Sequence, residues 1–346
     1  MLTSDARSYL LAGLAAQLQL LHKDMEKRKL AAFRPGTVNN HQTFFRTYLA
    51  FCSYFNLKDI NPSVSTICMY AEFLSRSFKS HRAIVNYIGG VRLMHKFLGV
   101  DAPSLYSFDL HLTLRALSIT MDYQPVVKLP ITIDILHNMC CICARLDKVG
   151  IVLKCVFLLA FFGFLRCSNL VPPTVSSFDP TRHLCRADIT AHNSGLLILL
   201  KWSKSRQTRD RYELLPLPKI DGHPLCPTAA FRDMIDNVRA KASGPLFIMP
   251  GHSGQYVLTA PQLRGILRVL LTSLGLSSSH YSFHSFRRGG ATYCFNHGFD
   301  LDRIKVHGKW KSDSVWSYIQ ANSTGRAALP AAMARAVVCD LPFSKT

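Results

Sequence analysis

Apolar positions recur at intervals of three and four through most of the first 120 residues, a pattern that predicts successive amphipathic helices. A helix over 10–30 carries a charged end from Lys23 to Lys29 and breaks at Pro35-Gly36. Thr37 then reads as the N-cap of a helix through about Phe55, with Phe44, Phe45, Tyr48, Leu49 and Cys52 on its apolar side. Pro62-Ser63 restarts the chain for a helix over 64–78. A helix over 81–98 turns Ile84, Tyr87, Ile88, Val91, Met94 and His95 to one side, and 105–119 forms another. Residues 1–122 are therefore expected to make a small all-helical domain.

Pro125 and Pro130 mark 123–130 as a linker. Two helices follow, over 133–146 and 151–162, the second apolar on every face and hence buried. The period then shortens: 184–190, 196–202 and 212–217 read as strands, with His192-Asn193-Ser194-Gly195 as a turn. Helices over 228–240 and 260–274 flank a segment, 245–254, bounded by Pro and Gly. The predicted class is mainly α with a small antiparallel β-sheet. A mixed α+β domain covers 131–322, and 323–346 is an Ala-rich tail.

Composition narrows the function. With 48% apolar residues in 346, the chain can bury a core in each of two domains. Its formal charge of +20 and pI near 9.7 point to a polyanion as partner, nucleic acid before a membrane surface. No apolar run approaches the ~20 residues of a membrane span, and 9–21 lacks the basic start and cleavage site of a signal peptide. The eleven cysteines read as free thiols in a reducing compartment. Cys140-Cys141-Ile142-Cys143 contains a CxxC without a second pair at zinc spacing. There is no Walker loop and no clustered set of carboxylates, so neither ATP nor a metal is expected as a cofactor.

The densest chemistry lies in 281–320. If His284-Ser285-Phe286-Arg287 opens a helix, imidazole and guanidinium share one face. An arginine fork matches a phosphate, and a following tyrosine is a possible nucleophile. Arg166 comes just after the fully apolar helix, where a charge must be paired or functional. The stretch Lys201-Trp202-Ser203-Lys204-Ser205-Arg206-Gln207-Thr208-Arg209 forms a basic hairpin tip.

The run His284-Ser285-Phe286-Arg287-Arg288-Gly289-Gly290-Ala291-Thr292, followed by Gly308-Lys309-Trp310 and Tyr318, resembles the second half of the active site of the tyrosine recombinase (integrase) family. The Gly308-Lys309-Trp310-Lys311-Ser312 step is similar to that of eukaryotic mobile elements of the crypton and Ngaro type. The resemblance implies a helical core-binding, SAM-like domain ahead of the catalytic domain. It implies site-specific cutting and rejoining of double-stranded DNA through a 3′-phosphotyrosyl intermediate. Arg166 and Arg287 would hold the nonbridging oxygens, Lys204 (alternatively Lys201) would protonate the 5′-oxygen, Tyr318 would attack, and His284 would assist removal of the phenol proton or donate to the phosphate. Trp310, or alternatively Lys309, fills the last position; His307 reads as structural.

Two departures stand out. Asn169 replaces an acidic residue three after Arg166, and the Trp310 step differs from the common Gly-His form. Arg46, Arg82, Arg92, Lys201, Arg206, Arg209 and Arg288 are expected DNA contacts. The resemblance further implies a homotetramer on DNA, a tail that packs in cis or docks on a neighbouring subunit, and, for the eukaryotic type, the nucleus. The competing readings are a type IB topoisomerase-like enzyme and a domesticated DNA-binding protein that has lost catalysis.

Overall fold

The computed structural model describes residues 4–33, 35–123, 126–201, 212–251, 254–320 and 333. The chain divides into two compact units, Met1–Pro125 and Val126–Thr346.

The first unit is helical: α1 (Ser4–Ala31), α2 (Pro35–Tyr54), α3 (Val64–Ser75), α4 (His81–Phe97) and α5 (Phe108–Thr120). Tyr48, Phe51, Ile67, Tyr70, Leu74, Ile84, Ile88 and Leu110 close its core. Each boundary has a local cause. Ser63 caps α3 by accepting the Thr66 N–H at 3.1 Å. α2 begins at Pro35, whose fixed φ suits a first helical position, so Thr37 lies inside the first turn and is not the N-cap. The helix expected over 105–119 is two pieces: Pro103–Tyr106 is a 3₁₀ turn, and Ser107 restarts α5 by accepting the Leu110 N–H.

The second unit begins with α6 (Ile133–Cys143) and α7 (Asp147–Phe162). Ten of the sixteen residues of α7 are buried, in keeping with its apolar run over 155–162; Asp147 and Lys148 are exposed and Lys154 is half-buried. A short α8 (Cys167–Leu170) leads to a three-stranded antiparallel sheet, β1 (Ile189–His192), β2 (Gly195–Leu200) and β3 (Glu213–Pro218), in the order β1-β2-β3. β1 starts later than the pattern predicts. Arg186–Asp188 forms a 3₁₀ turn in which the Asp188 carboxylate accepts the Cys185 N–H at 2.7 Å.

After α9 (Pro227–Asn237) comes a hairpin that the sequence reading missed, β4 (Ile248–Gly251) paired antiparallel with β5 (Gly254–Val257). Then follow α10 (Ala260–Ser273), α11 (His284–Asn296), α12 (Leu301–Gly308) and a 3₁₀ turn, Asp313–Ser317. α11 packs on α7 through stacked Phe157 and Phe286 rings, 5.2 Å apart. The approach is close enough that a Cβ on Gly289 would strike the Ile131 carbonyl and one on Gly290 the Phe161 carbonyl. The Gly289-Gly290 pair thus sets the depth at which α11 seats His284 and Arg287. The ten described cysteines are free thiols, and no cluster of metal-ligating side chains occurs among the described residues. No described helix is long and apolar enough to cross a membrane.

Candidate active site around Tyr318

Arg287 sits at the centre, 3% exposed. Its Nη1 donates to the Phe164 carbonyl and its Nη2 to the Gly308 carbonyl, both at 2.5 Å. Its guanidinium carbon lies 3.7 Å from the centroid of the Trp310 ring and 5.4 Å from that of Tyr318. Phe164 supplies its carbonyl from a left-handed backbone, φ 48°, a conformation that a bulky residue keeps only where its surroundings impose it. Here they do: Phe164 is buried with Ala291, Ile304, Trp310 and Val315 in a small cluster beneath Tyr318.

The other residues singled out in 281–320 converge on the same phenol. The His284 ring, at the exposed start of α11, lies 6.4 Å from the Tyr318 ring at a small interplanar angle, and Trp310 meets Tyr318 edge-on at 5.2 Å. Arg288 reaches over the Tyr318 face at 5.8 Å. Tyr318 is anchored through its backbone, because its carbonyl accepts from the Thr292 hydroxyl at 3.2 Å. A 3₁₀ turn, Asp313–Ser317, ends at Tyr318.

Arg166 precedes α8, where the Asn169 side chain accepts its backbone N–H at 3.0 Å. The amide thus fixes the backbone of Arg166 without neutralising its charge. At Arg287 the pKa falls to about 9: burial is the main cause, the Arg166 charge adds to it, and the Tyr318 phenol opposes it. Burial likewise lowers Arg288, again opposed by Tyr318. The repulsion between the Arg166 and Arg287 charges is of the kind that a bound anion would relieve.

The remaining predicted residues fall elsewhere. Lys204, Arg206 and Arg209 lie outside the described residues. Lys201 forms an ion pair with the buried Asp188 carboxylate at 2.7 Å and donates to the Pro180 carbonyl at 2.9 Å. Lys309 pairs with Glu213 at 2.9 Å. In the first unit Arg46 and Arg82 are exposed, whereas Arg92 donates to the Leu105 carbonyl at 3.0 Å and covers the Tyr106 ring.

His307 contributes more than its sequence suggested. Its Nε2–H donates to the Phe162 carbonyl at 2.7 Å and its ring packs edge-on against Phe164, so it ties α12 to the end of α7. Burial lowers its pKa; the hydrogen bond to Phe162 acts the other way, and the Lys309 and Arg287 charges reinforce the lowering. Backbone acceptors such as Phe164 and Gly308 carry no side-chain signal in the sequence.

The architecture is a tyrosine-recombinase, phage-integrase-like fold. It is similar to the Tn1549 transposon integrase in complex with transposon right end DNA, at TM-score 0.57 and 16% identity over 91% of this chain and 98% of that one. The same integrase in complex with circular intermediate DNA gives TM-score 0.51 and 16% identity, over 90% and 92% of the two chains. A lambda integrase dimer bound to a COC′ core site gives 0.50 and 13%, over 89% and 81%. No protein-family model matches the sequence, and no curated protein does.

Proposed function

We propose that this chain is a site-specific DNA recombinase that cuts and rejoins strands through a phosphotyrosine at Tyr318. The observation that carries the reading is the enclosure of the Tyr318 ring by Arg287, Arg288, His284 and Trp310, with Arg166 acting electrostatically on Arg287. The Tyr318 oxygen attacks phosphorus, forming the tyrosyl–phosphate bond as the bond to the 5′-oxygen breaks. Arg166 and Arg287 balance charge on the nonbridging oxygens; two of the five N–H donors of Arg287 are held by carbonyls, which fixes its plane. His284 takes the phenol proton, and a hairpin lysine gives one to the 5′-oxygen. The engagement of Lys201 by Asp188 favours Lys204 for that donation. The pairing of Lys309 with Glu213 favours Trp310 as the last phosphate donor, because the buried indole N–H has no hydrogen-bond partner among the described residues.

Arg46 and Arg82, with Arg206 and Arg209, supply phosphate contacts, consistent with the +20 charge. The DNA-bound state is a homotetramer, and the Gly308-Lys309-Trp310-Lys311-Ser312 step aligns the chain with crypton- and Ngaro-type elements, hence the nucleus. The test is covalent trapping. Wild type and Tyr318→Phe are incubated with nicked duplexes from sequences flanking the gene, and denaturing gels are scored for a slow protein–DNA band. The expected result is a band with wild type alone and equal DNA binding by both. A band persisting with Tyr318→Phe removes Tyr318 as nucleophile. Light scattering of the complex separates a tetramer from the monomer expected of a topoisomerase.

A further inference from the structure

The turn 308–310 touches two parts of the site at once. Gly308 gives its carbonyl to Arg287, and Trp310 gives its ring to the same guanidinium. Between them Lys309 takes a left-handed conformation, φ 60°, that a glycine would adopt with less strain. What a lysine adds there is an ion pair: its ammonium lies 2.9 Å from the Glu213 carboxylate, with the two side chains 16% and 31% exposed. Glu213 opens β3 and faces Leu200 in the last rung of the β2–β3 ladder. The ion pair therefore joins the base of the basic hairpin to the turn that holds Arg287.

We propose that Lys309 and Glu213 are positioning residues for cleavage. The pair fixes the base of the β2–β3 hairpin, and with it the reach of a proton donor carried by that hairpin, relative to the phosphate held by Arg287. This rests on the recombinase reading above, and it assigns Lys309 a different task from binding phosphate. Removing the Glu213 charge takes the carboxylate from a mostly buried ammonium and releases the hairpin base. Removing the Lys309 charge releases the same base from the other side. Both changes should act on departure of the 5′-oxygen and leave the attack of Tyr318 intact.

The experiment compares cleavage, by the full chain, of two nicked duplexes that differ in one atom, an oxygen or a sulfur at the 5′-bridging position of the scissile phosphate. A thiolate leaves without needing a proton, so the sulfur substrate is indifferent to the donor. Glu213→Gln and Lys309→Met should slow cleavage of the oxygen substrate by about tenfold to a hundredfold while staying within about threefold of wild type on the sulfur substrate. DNA affinity should not change. The exchange Glu213→Lys with Lys309→Glu should recover part of the oxygen rate, and the near-wild-type rate of the single variants on the sulfur substrate shows that they are folded. Equal slowing on both substrates overturns the proposal and leaves the recombinase reading standing. Slowing on both by Lys309→Met alone makes Lys309 a phosphate ligand and overturns it too. If wild type cleaves neither duplex, the recombinase reading fails and this inference fails with it.

Discussion

Substituting alanine for Trp310 removes the ring that lies 3.7 Å from the Arg287 guanidinium and meets Tyr318 edge-on at 5.2 Å. Trp310 is 8% exposed, so the truncation should cost about 3–5 kcal/mol, a sum that already contains the ~2 kcal/mol of a desolvated cation–π contact. For a unit of this size each kcal/mol moves the melting temperature by about 2–4 °C, which gives a fall of roughly 6–20 °C. Trp310→Phe is the informative partner. It keeps an aromatic face for Arg287 and removes a buried N–H that has no hydrogen-bond partner among the described residues. Relief of that unsatisfied donor, about 1–3 kcal/mol, offsets the lost volume, so stability should change by less than about 1.5 kcal/mol. If the indole N–H donates to the phosphate, Trp310→Phe should still lose about a hundredfold in the rate of adduct formation on a nicked duplex. Calorimetry and single-turnover cleavage measure the two effects separately. A Phe variant that cleaves at the wild-type rate would refute the donor assignment. An Ala variant within 1 °C of wild type would refute the packing argument.

Gly289→Ala should destabilise the second unit by about 1–3 kcal/mol in urea denaturation, because the added Cβ meets the Ile131 carbonyl and not a yielding side chain; an unchanged midpoint would contradict the close approach. Asp188→Ala should cost about 3–5 kcal/mol, since it leaves the Lys201 ammonium and the Cys185 N–H without their carboxylate, and Lys201→Met should lose a similar amount if the pair is structural. His307 tests the sign of a pH effect. Its folded-state pKa lies below the unfolded value of about 6.5, so the unfolded chain binds the proton first and stability declines as the pH falls below that value. His307→Gln, which can still donate to Phe162, should flatten that decline between pH 7.5 and 5; parallel curves for the two proteins would show that His307 does not contribute to it.

Much of this protein is legible in its sequence because burial has a period. The spacing of Tyr48, Cys52, Ile84, Ile88 and Val91 places those residues inside the helical unit, and the apolar run over 155–162 requires the second half of α7 to be covered on nearly every side. The spacing of three between His284 and Arg287 holds because α11 begins at His284, and the approach of both to Tyr318 follows the order of the motif. Periodicity says which face turns inward and is silent on what that face meets. Nothing in the chain near Arg287 announces that its acceptor is the carbonyl of Phe164, 123 residues earlier, since a backbone carbonyl is the same at every position. The β4–β5 hairpin escaped for a related reason: its strands are four residues each, too short for an alternation to rise above Pro and Gly. Charge is equally mute about partners. Lys201 and Lys309 read as alternative active-site cations, and only the folded chain brings Asp188 to one and Glu213 to the other. Local sequence determined the helices and strands and the grouping of reactive residue types. Tertiary packing decided which cations are already engaged by carboxylates and carbonyls, because that depends on groups brought together from distant parts of the chain.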